Sequence, residues 1–301
     1  MSTRRPEPRR AGCRSVSLLL ALLAPAVSGA DASVWRVSGE GSEVFLGGTI
    51  HRLSPDHYPL PAEYHSAYER ADVVVFETDI AAMRSPDVRA RIARLSRLPE
   101  GSSLTDMLEE QTSRELEQFC AEAGVPLARL LPLRPAPAML TLLSVTLARL
   151  GYTAPGVDEH FYERAAADDK PVQALETVDE QIGFLLSLDQ GRPDLFVRRS
   201  IEDLRRAHDG AMTESLAAWR SGRSQDLVEH FIEEQMLYMP ELYQTLLVER
   251  NRQWMGSIRR YLSTPETELV LVGVGHVIGG DGLIRLLEDE GFSVEQLDGG
   301  R

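Results

Sequence analysis

Two histidines occupy the same local phrase near opposite ends of this 301-residue chain. In FLGGTIH (45–51) and LVGVGH (271–276) an apolar run leads into Gly-x-x-His, with Gly48 three residues before His51 and Gly273 three residues before His276. A glycine there lets the backbone turn sharply or approach a neighbour closely at the end of a strand. The histidine then projects from the carboxyl end of that strand, the edge where open α/β sheets place their sites. A third residue belongs with them: Glu77 leaves the apolar run VVVFETD (73–79), and a carboxylate at the exit of a buried strand is costly unless paired, hydrogen-bonded or metal-bound. Two imidazoles and one carboxylate suit Zn²⁺ or Mn²⁺ and leave a position for water. One histidine at a strand end is usually a hydrogen-bonded loop residue; two in one phrase, with an acidic strand end between them, favour a shared site.

The glycines near the C-terminus do not read as a phosphate cradle. Gly273, Gly275 and Gly279 follow G-x-G-x-x-x-G, one residue out of the dinucleotide register, and only 25 residues follow His276, too few for a second mononucleotide half. The sole lysine, Lys170, is not in a P-loop. There is also no H-E-x-x-H helix and no G-x-S-x-G elbow.

Other polar residues have humbler readings beside functional ones. Asp158, in GVDEHFYERA (156–165), stands at a helix start after Pro155-Gly156; capping is the expected role, with a supporting role behind a site histidine as the alternative. His160, two residues on, does not share its helical face. Glu176 ends KPVQALE as Glu77 ends its own run, and is either a supporting partner that orients a histidine or a cap for the next helix. His57 reads as a solvated loop residue; His65, His208 and His230 read as surface residues. Cys120, in a helical pattern, reads as a structural thiol.

The elements needed to position these groups follow from the pattern. SVWRVSGEGSEVFLGGTIH (33–51) alternates around GEGS and predicts a hairpin. HRLSPDHYPLP is a loop and AEYHSAYERA a short helix. VVVFETD is a buried strand. Residues 86–168 are helical, punctuated by Pro132, Pro135, Pro137 and Gly151; KPVQALET (170–177) is a short strand; 178–262 are helical again, with ERNRQWMGSIRRYL (249–262) the clearest amphipathic piece. TELVLVGVGH is a strand, GGDGLIRLLEDEG a helix and FSVEQL a last strand. The expectation is an α/β fold (α+β as the variant): one domain over 31–301, its central sheet built from N- and C-terminal strands, with a large helical insertion at about 86–262.

Residues 1–30 differ in kind. Five arginines precede VSLLLALLAPAV (16–27), and Ser28, Gly29 and Ala30 follow, which predicts a cleaved signal peptide and a periplasmic or secreted protein; an uncleaved N-terminal anchor is the alternative. No other segment is fit to span a bilayer. Without residues 1–30 the chain keeps 27 basic and 45 acidic residues, a net charge of −18, which argues against nucleic acid or anionic lipid surfaces as partners. Cys120 is then the one cysteine left, so no intramolecular disulfide forms.

The phrases FLGGTIH, VVVFETD, GVDEHFYERA, KPVQALETVDEQI (170–182), ERNRQWMGSI (249–258) and VGVGHVIGGDGLIRLLEDEGFSVEQL (272–297) resemble those of the TraB/PrgY/GumN–Tiki group, its GumN-like bacterial branch above all, over about residues 34–299. Tiki proteins are metal-dependent proteases that favour Mn²⁺ or Co²⁺ and share the two Gly-x-x-His histidines, a Glu and an Arg. The resemblance carries these onto His51, His276, Glu77 and Arg250, with Arg252 as a competitor for the last. It implies a divalent metal (Mn, Co or Zn) on His51, Glu77 and His276, with Glu77 as ligand or base. It also implies hydrolysis of a peptide or small-molecule substrate, Arg250 neutralising the oxyanion and Asn251 orienting water or substrate. Related erythromycin-esterase-like enzymes imply instead a metal-free hydrolase with His276 as general base. PrgY and TraB members, linked to shutting off peptide pheromones, imply a peptide- or small-ligand-binding protein that need not catalyse.

Overall fold

The computed structural model describes residues 32–39 and 41–298. The expected signal segment, residues 1–30, lies outside them. The hairpin forms as the alternation predicts: β1 (Val34–Ser38) pairs antiparallel with β2 (Glu43–Thr49), Val34 opposite Gly47 and Ser38 opposite Glu43. Gly41 in the turn has φ +96°, a conformation that favours glycine.

The expected loop after His51 contains two residues of strand, β3 (Arg52–Leu53). The chain continues through the helix Ala62–Arg70 into β4 (Val73–Thr78). Further along come β5 (Ala154–Pro155), β6 (Val172–Glu176), β7 (Glu268–Gly273) and β8 (Ser293–Gln296). Six strands form one sheet in the order β6-β4-β7-β2-β1-β8, while β3 and β5 form a separate two-stranded ladder. Neighbours among β6, β4, β7 and β2 are parallel; β1 is antiparallel to both β2 and β8. The fold is α/β. The central strands β4 and β7, VVVFET and ELVLVG, are buried almost end to end, as parallel strands covered by helices on both faces must be.

The parallel arrangement dictates where a site can lie. β2, β4, β6 and β7 all end at the same edge, so Thr49, Thr78, Glu176 and Gly273 come into line: Thr78 faces Glu176 and Thr49 faces Gly273 across the ladders. His51, Glu77, Glu176 and His276, far apart in sequence, share this edge because four strands do.

The helical stretch is two connections rather than one insertion, since β6 re-enters the sheet between them. The first holds the helices Pro86–Leu95, Glu110–Glu122, Pro135–Arg149 and Val157–Ala167; the second runs from Val178–Leu186 through Pro193–His208 to Glu249–Tyr261. Pro135 sits in the first turn of its helix, where a missing N–H costs nothing, and Thr177 caps the helix after β6 with Glu180 reciprocating. Parts of both connections pack on each other, with Leu104, Leu116, Leu142, Val197 and Leu204 in an apolar cluster separate from the one beneath the sheet. Cys120 belongs to this helical cluster, and burial pushes its thiol up to about 11, as suits a structural residue. Among the described residues, no helix is long and apolar enough to cross a membrane.

Candidate functional site

His51 leaves β2 two residues past its end and keeps its side chain 70% exposed. Its Nδ1 lies 2.9 Å from Asp158 Oδ2. A carboxylate only accepts, so the proton is on Nδ1 and Nε2 is the nitrogen turned to the site. The other Asp158 oxygen accepts from Thr49 Oγ1 at 2.7 Å. Asp158 arrives there because β5 pairs with β3, Arg52 opposite Pro155, and because Val157 N–H donates to the Ile50 carbonyl at 3.1 Å. The two segments lie so close that a Cβ on Gly156 would fall 2.4 Å from the His51 carbonyl carbon. Asp158 supplies no cap to its helix: Gly156 is the N-cap and makes no side-chain bond. Its charge, with smaller help from Glu77, raises the His51 imidazole above its ordinary range against the effect of lost hydration.

Glu77, Arg250 and Glu176 form a buried ion cluster. Arg250 belongs to the helix Glu249–Tyr261, whose buried face reads Arg250, Trp254, Ile258 and Tyr261. Its Nε donates to Glu176 Oε1 at 2.7 Å, and its Nη2 to Glu77 Oε2 at 2.7 Å, Glu176 Oε2 at 3.0 Å and Gln181 Oε1 at 3.2 Å. Nη1 donates to the Leu246 carbonyl at 3.3 Å and to His276 Nε2 at 3.0 Å. The guanidinium carbon lies 5.0 Å from the Phe184 ring centre and 4.8 Å from that of Trp254. Every part of the fork is engaged, so Arg250 has no donor left for an oxyanion. Its competitor Arg252 is exposed on the far side of the helix.

The second oxygen of Glu77 accepts the Gly273 backbone N–H at 2.7 Å. Burial alone would raise this carboxyl; the surrounding positive groups and that N–H outweigh it and hold the group below the usual carboxylate range. His276 is neutral at neutral pH, so there the effect falls to Arg250 and the charged His51 ring, with the Gly273 N–H. Glu176 also accepts from Trp254 Nε1 at 2.9 Å. Its partners are therefore Arg250 and Trp254, neither a histidine nor a helix end.

His276 does not project to solvent. The strand β7 turns directly into the short helix Val274–Val277, which buries the imidazole against Trp254, ring centres 4.4 Å apart. A guanidinium only donates, so Nε2 must accept from Arg250 and the proton sits on Nδ1, which donates to Asn251 Oδ1 at 2.7 Å. Asn251 Nδ2 donates to the carbonyls of His276, at 3.1 Å, and Asp281, at 2.8 Å. Asn251 thus holds His276 and its loop rather than a water or a substrate. Burial pushes the His276 imidazole down to about 3, so it stays neutral over the working range of a protein.

The two motif glycines act through close approach. A Cβ on Gly48 would press on Val274 at 2.8 Å. At Gly273 the missing Cβ leaves space in front of the strand end: the atom would lie 3.3 Å from Glu77 Oε1, 3.8 Å from His276 Cδ2 and 4.0 Å from His51 Nε2. These three side chains therefore face one small opening, as the shared phrases predict. Two of them offer it a lone pair or a proton, His51 through Nε2 and Glu77 through Oε1; His276 offers only a carbon edge.

The three-residue metal set does not fit this arrangement. His51 suits an ion, with its other nitrogen backed by a carboxylate. Glu77 Oε1 keeps a lone pair. His276 has none to give, because Nε2 is turned to a cation 3.0 Å away and Nδ1 carries a proton. For the same reason His276 is not a general base.

The sequence pattern does not single out Thr49, Gly156, Gln181, Phe184 or Trp254, although Thr49 lies inside the first motif and Trp254 one helical turn after Arg250. His57 Nδ1 stays local, 2.6 Å from Ser54 Oγ. His208 is exposed; His65 is half-buried and accepts from Arg164 Nη1 at 3.0 Å, so it is less of a surface residue than expected. His160 packs its ring between Tyr58, His65 and Phe161, away from the site. The His230 side chain lies outside the described residues.

The model of the TraB/PrgY/gumN family matches residues 33–296. The uncharacterized protein YbaP of Escherichia coli (strain K12) is 26% identical over 244 residues, 80% of this chain and 86% of YbaP. YbaP of Shigella flexneri matches to the same extent. No solved structure matches the chain.

Proposed function

The chain belongs to the TraB/PrgY/gumN family, and on that premise we propose that it is a hydrolase in which the His51–Asp158 pair works beside the Glu77 carboxylate. The observation that carries the reading is the convergence of His51 Nε2 and Glu77 Oε1 on the space left by the absent Cβ of Gly273. Asp158 fixes the ring with Nε2 forward, as the carboxylate of a catalytic His–Asp pair must. In the neutral form of His51, which its pKa of about 9 makes the major one only in alkaline solution, a water held between Nε2 and a scissile carbonyl loses its proton to the ring as its oxygen attacks; the imidazolium, stabilised by Asp158, returns that proton to the leaving group. Glu77 stays ionised because Arg250 and Gly273 hold it so, and its charge stabilises the imidazolium across the opening. Arg250, Glu176, Trp254, Asn251 and His276 keep that carboxylate and the Gly273 turn in place, a positioning role in place of the oxyanion contact expected of Arg250.

The resemblance to Tiki proteins is what names peptide bonds as the substrate class. A second reading rests on the same carboxylate-backed imidazole: a divalent ion (Mn, Co or Zn) on His51 and Glu77 alone, which would supply Lewis acidity and an acidified water. A screen of peptides and simple esters for turnover, with His51→Ala as control, tests the reading. Turnover that vanishes in the variant supports it. Ligand binding with no turnover would make the protein a sequestering one instead.

A further inference from the structure

Away from the sheet edge, the helices Pro86–Leu95, Pro135–Arg149 and Val178–Leu186 enclose a groove of about 550 Å³. That volume lies within the range of sites for small organic ligands, ~300–1,000 Å³. Ile92, Leu133, Pro137, Leu140, Ile182 and Leu185 make its wall aliphatic. Water gains little from such a wall, and an apolar concavity left open to solvent on a folded protein usually marks a binding surface. The few polar groups are informative. Thr141 Oγ1 is turned back to the Pro137 carbonyl at 2.8 Å and is spent. Among the described residues no Asp or Glu lines the groove, although the chain carries 46 of them. One cation, Arg97, stands at it, exposed, and among the described residues its guanidinium makes no ion pair or hydrogen bond. In a chain of net charge −14, where more than half of the described arginines pair with a carboxylate, a free guanidinium beside an acid-free aliphatic trough is a complementary surface for one kind of molecule.

We propose that this groove binds a linear amphiphile with a single anionic head, a fatty carboxylate, its tail along Pro137, Leu140, Ile182 and Leu185 and its head on Arg97. The tail gains by leaving water. The head gains a charge-assisted bond of planar geometry matched to the guanidinium fork. The site is independent of the proposed chemistry but adjoins it through one element: the helix Val178–Leu186 turns Ile182 and Leu185 to the groove and Gln181 and Phe184 to Arg250.

The test is calorimetric titration of the purified protein with decanoate below its micelle threshold, and with 1-decanol as the uncharged analogue. Two variants accompany it: Arg97→Ala, and Ser144→Trp, which fills the groove from an exposed helix position; circular dichroism confirms that each keeps its fold. The expected result is saturable one-to-one binding of decanoate, weaker by ~10-fold or more in Arg97→Ala and for decanol on the native protein, and absent in Ser144→Trp. No saturable binding would overturn the proposal. So would an affinity unchanged in both variants, which places the ligand elsewhere, or decanol binding as well as decanoate, which removes the role of Arg97.

Discussion

His51 Nδ1 meets Asp158 Oδ2 at 2.9 Å across 107 positions of sequence, and this contact leaves Nε2 facing the opening in front of Gly273. Asp158→Asn keeps the shape of the residue and removes its charge. Hydrolysis should fall ~10²-fold or more, the usual worth of a well-placed acid–base pair. The sign on the imidazole is also fixed. Asp158 raises its pKa, so the variant should titrate at lower pH than the native protein. Proton NMR of the His51 ring follows this directly.

Gly273→Ala separates chemistry from folding. The residue has φ −48° and ψ 134°, values alanine adopts freely, and the new methyl would enter the opening itself, displacing Glu77 Oε1 by a few tenths of an ångström from 3.3 Å and reaching ordinary contact with His276 Cδ2 at 3.8 Å and His51 Nε2 at 4.0 Å. Activity should drop by ~10-fold or more while the melting temperature changes little. Gly156→Ala should act on the fold instead. Its methyl would strike the His51 backbone at 2.4 Å, and thermal melts should show a clear loss of stability.

Arg250→Ala should destabilise the protein by ~3–5 kcal/mol, since Glu77 and Glu176 would face each other buried and without their cation. The double change Arg250→Met with Glu176→Gln leaves a single buried carboxylate and should recover part of that loss. Urea unfolding of the three proteins measures both effects.

Glu268 lies at the opposite end of β7, buried, with Oε2 unpartnered among the described residues. Burial, then the nearby Glu266 and Asp72, raises its carboxyl to about 7. The folded state thus holds a proton that the unfolded chain releases above its ordinary carboxylate range, and stability is lost as pH rises from about 4.5 to about 7. Glu268→Gln should remove this dependence and stabilise the protein at pH ~8 by an amount on the order of 1–3 kcal/mol. Unfolding curves at pH ~5 and ~8 for both proteins check it.

The strand ends of the site are legible in the sequence itself. The apolar runs ending in Gly-x-x-His and in Glu77 are strand-end signals, and four parallel strands do bring them to one edge. Asp158 reads mainly as a cap because an acid in a first helical turn is favourable in its own right. Its actual partner is set by β3 and β5, strands of two residues each, too short to leave a periodic trace. Arg250 stands on the apolar stripe of its helix with Trp254 and Ile258, a position that signals a buried charge with partners; Glu77 and Glu176 are marked as strand-end carboxylates in need of a partner, but no local pattern joins them to Arg250. The inward turn of His276 depends on a four-residue helix directly after β7 and on Asn251, 25 positions away, so the expected projecting histidine is wrong for a reason no local pattern reveals.

The most direct test of the central claim is peptide hydrolysis by the chelator-treated protein, native and His51→Ala, over a mixed peptide pool read by mass spectrometry. The account predicts cleavage by the native protein after chelation and none by the variant. Cleavage that disappears on chelation and returns with Mn²⁺, Co²⁺ or Zn²⁺ would contradict the metal-free chemistry assigned to His51 and Asp158, and cleavage undiminished in His51→Ala would remove His51 from the reaction altogether.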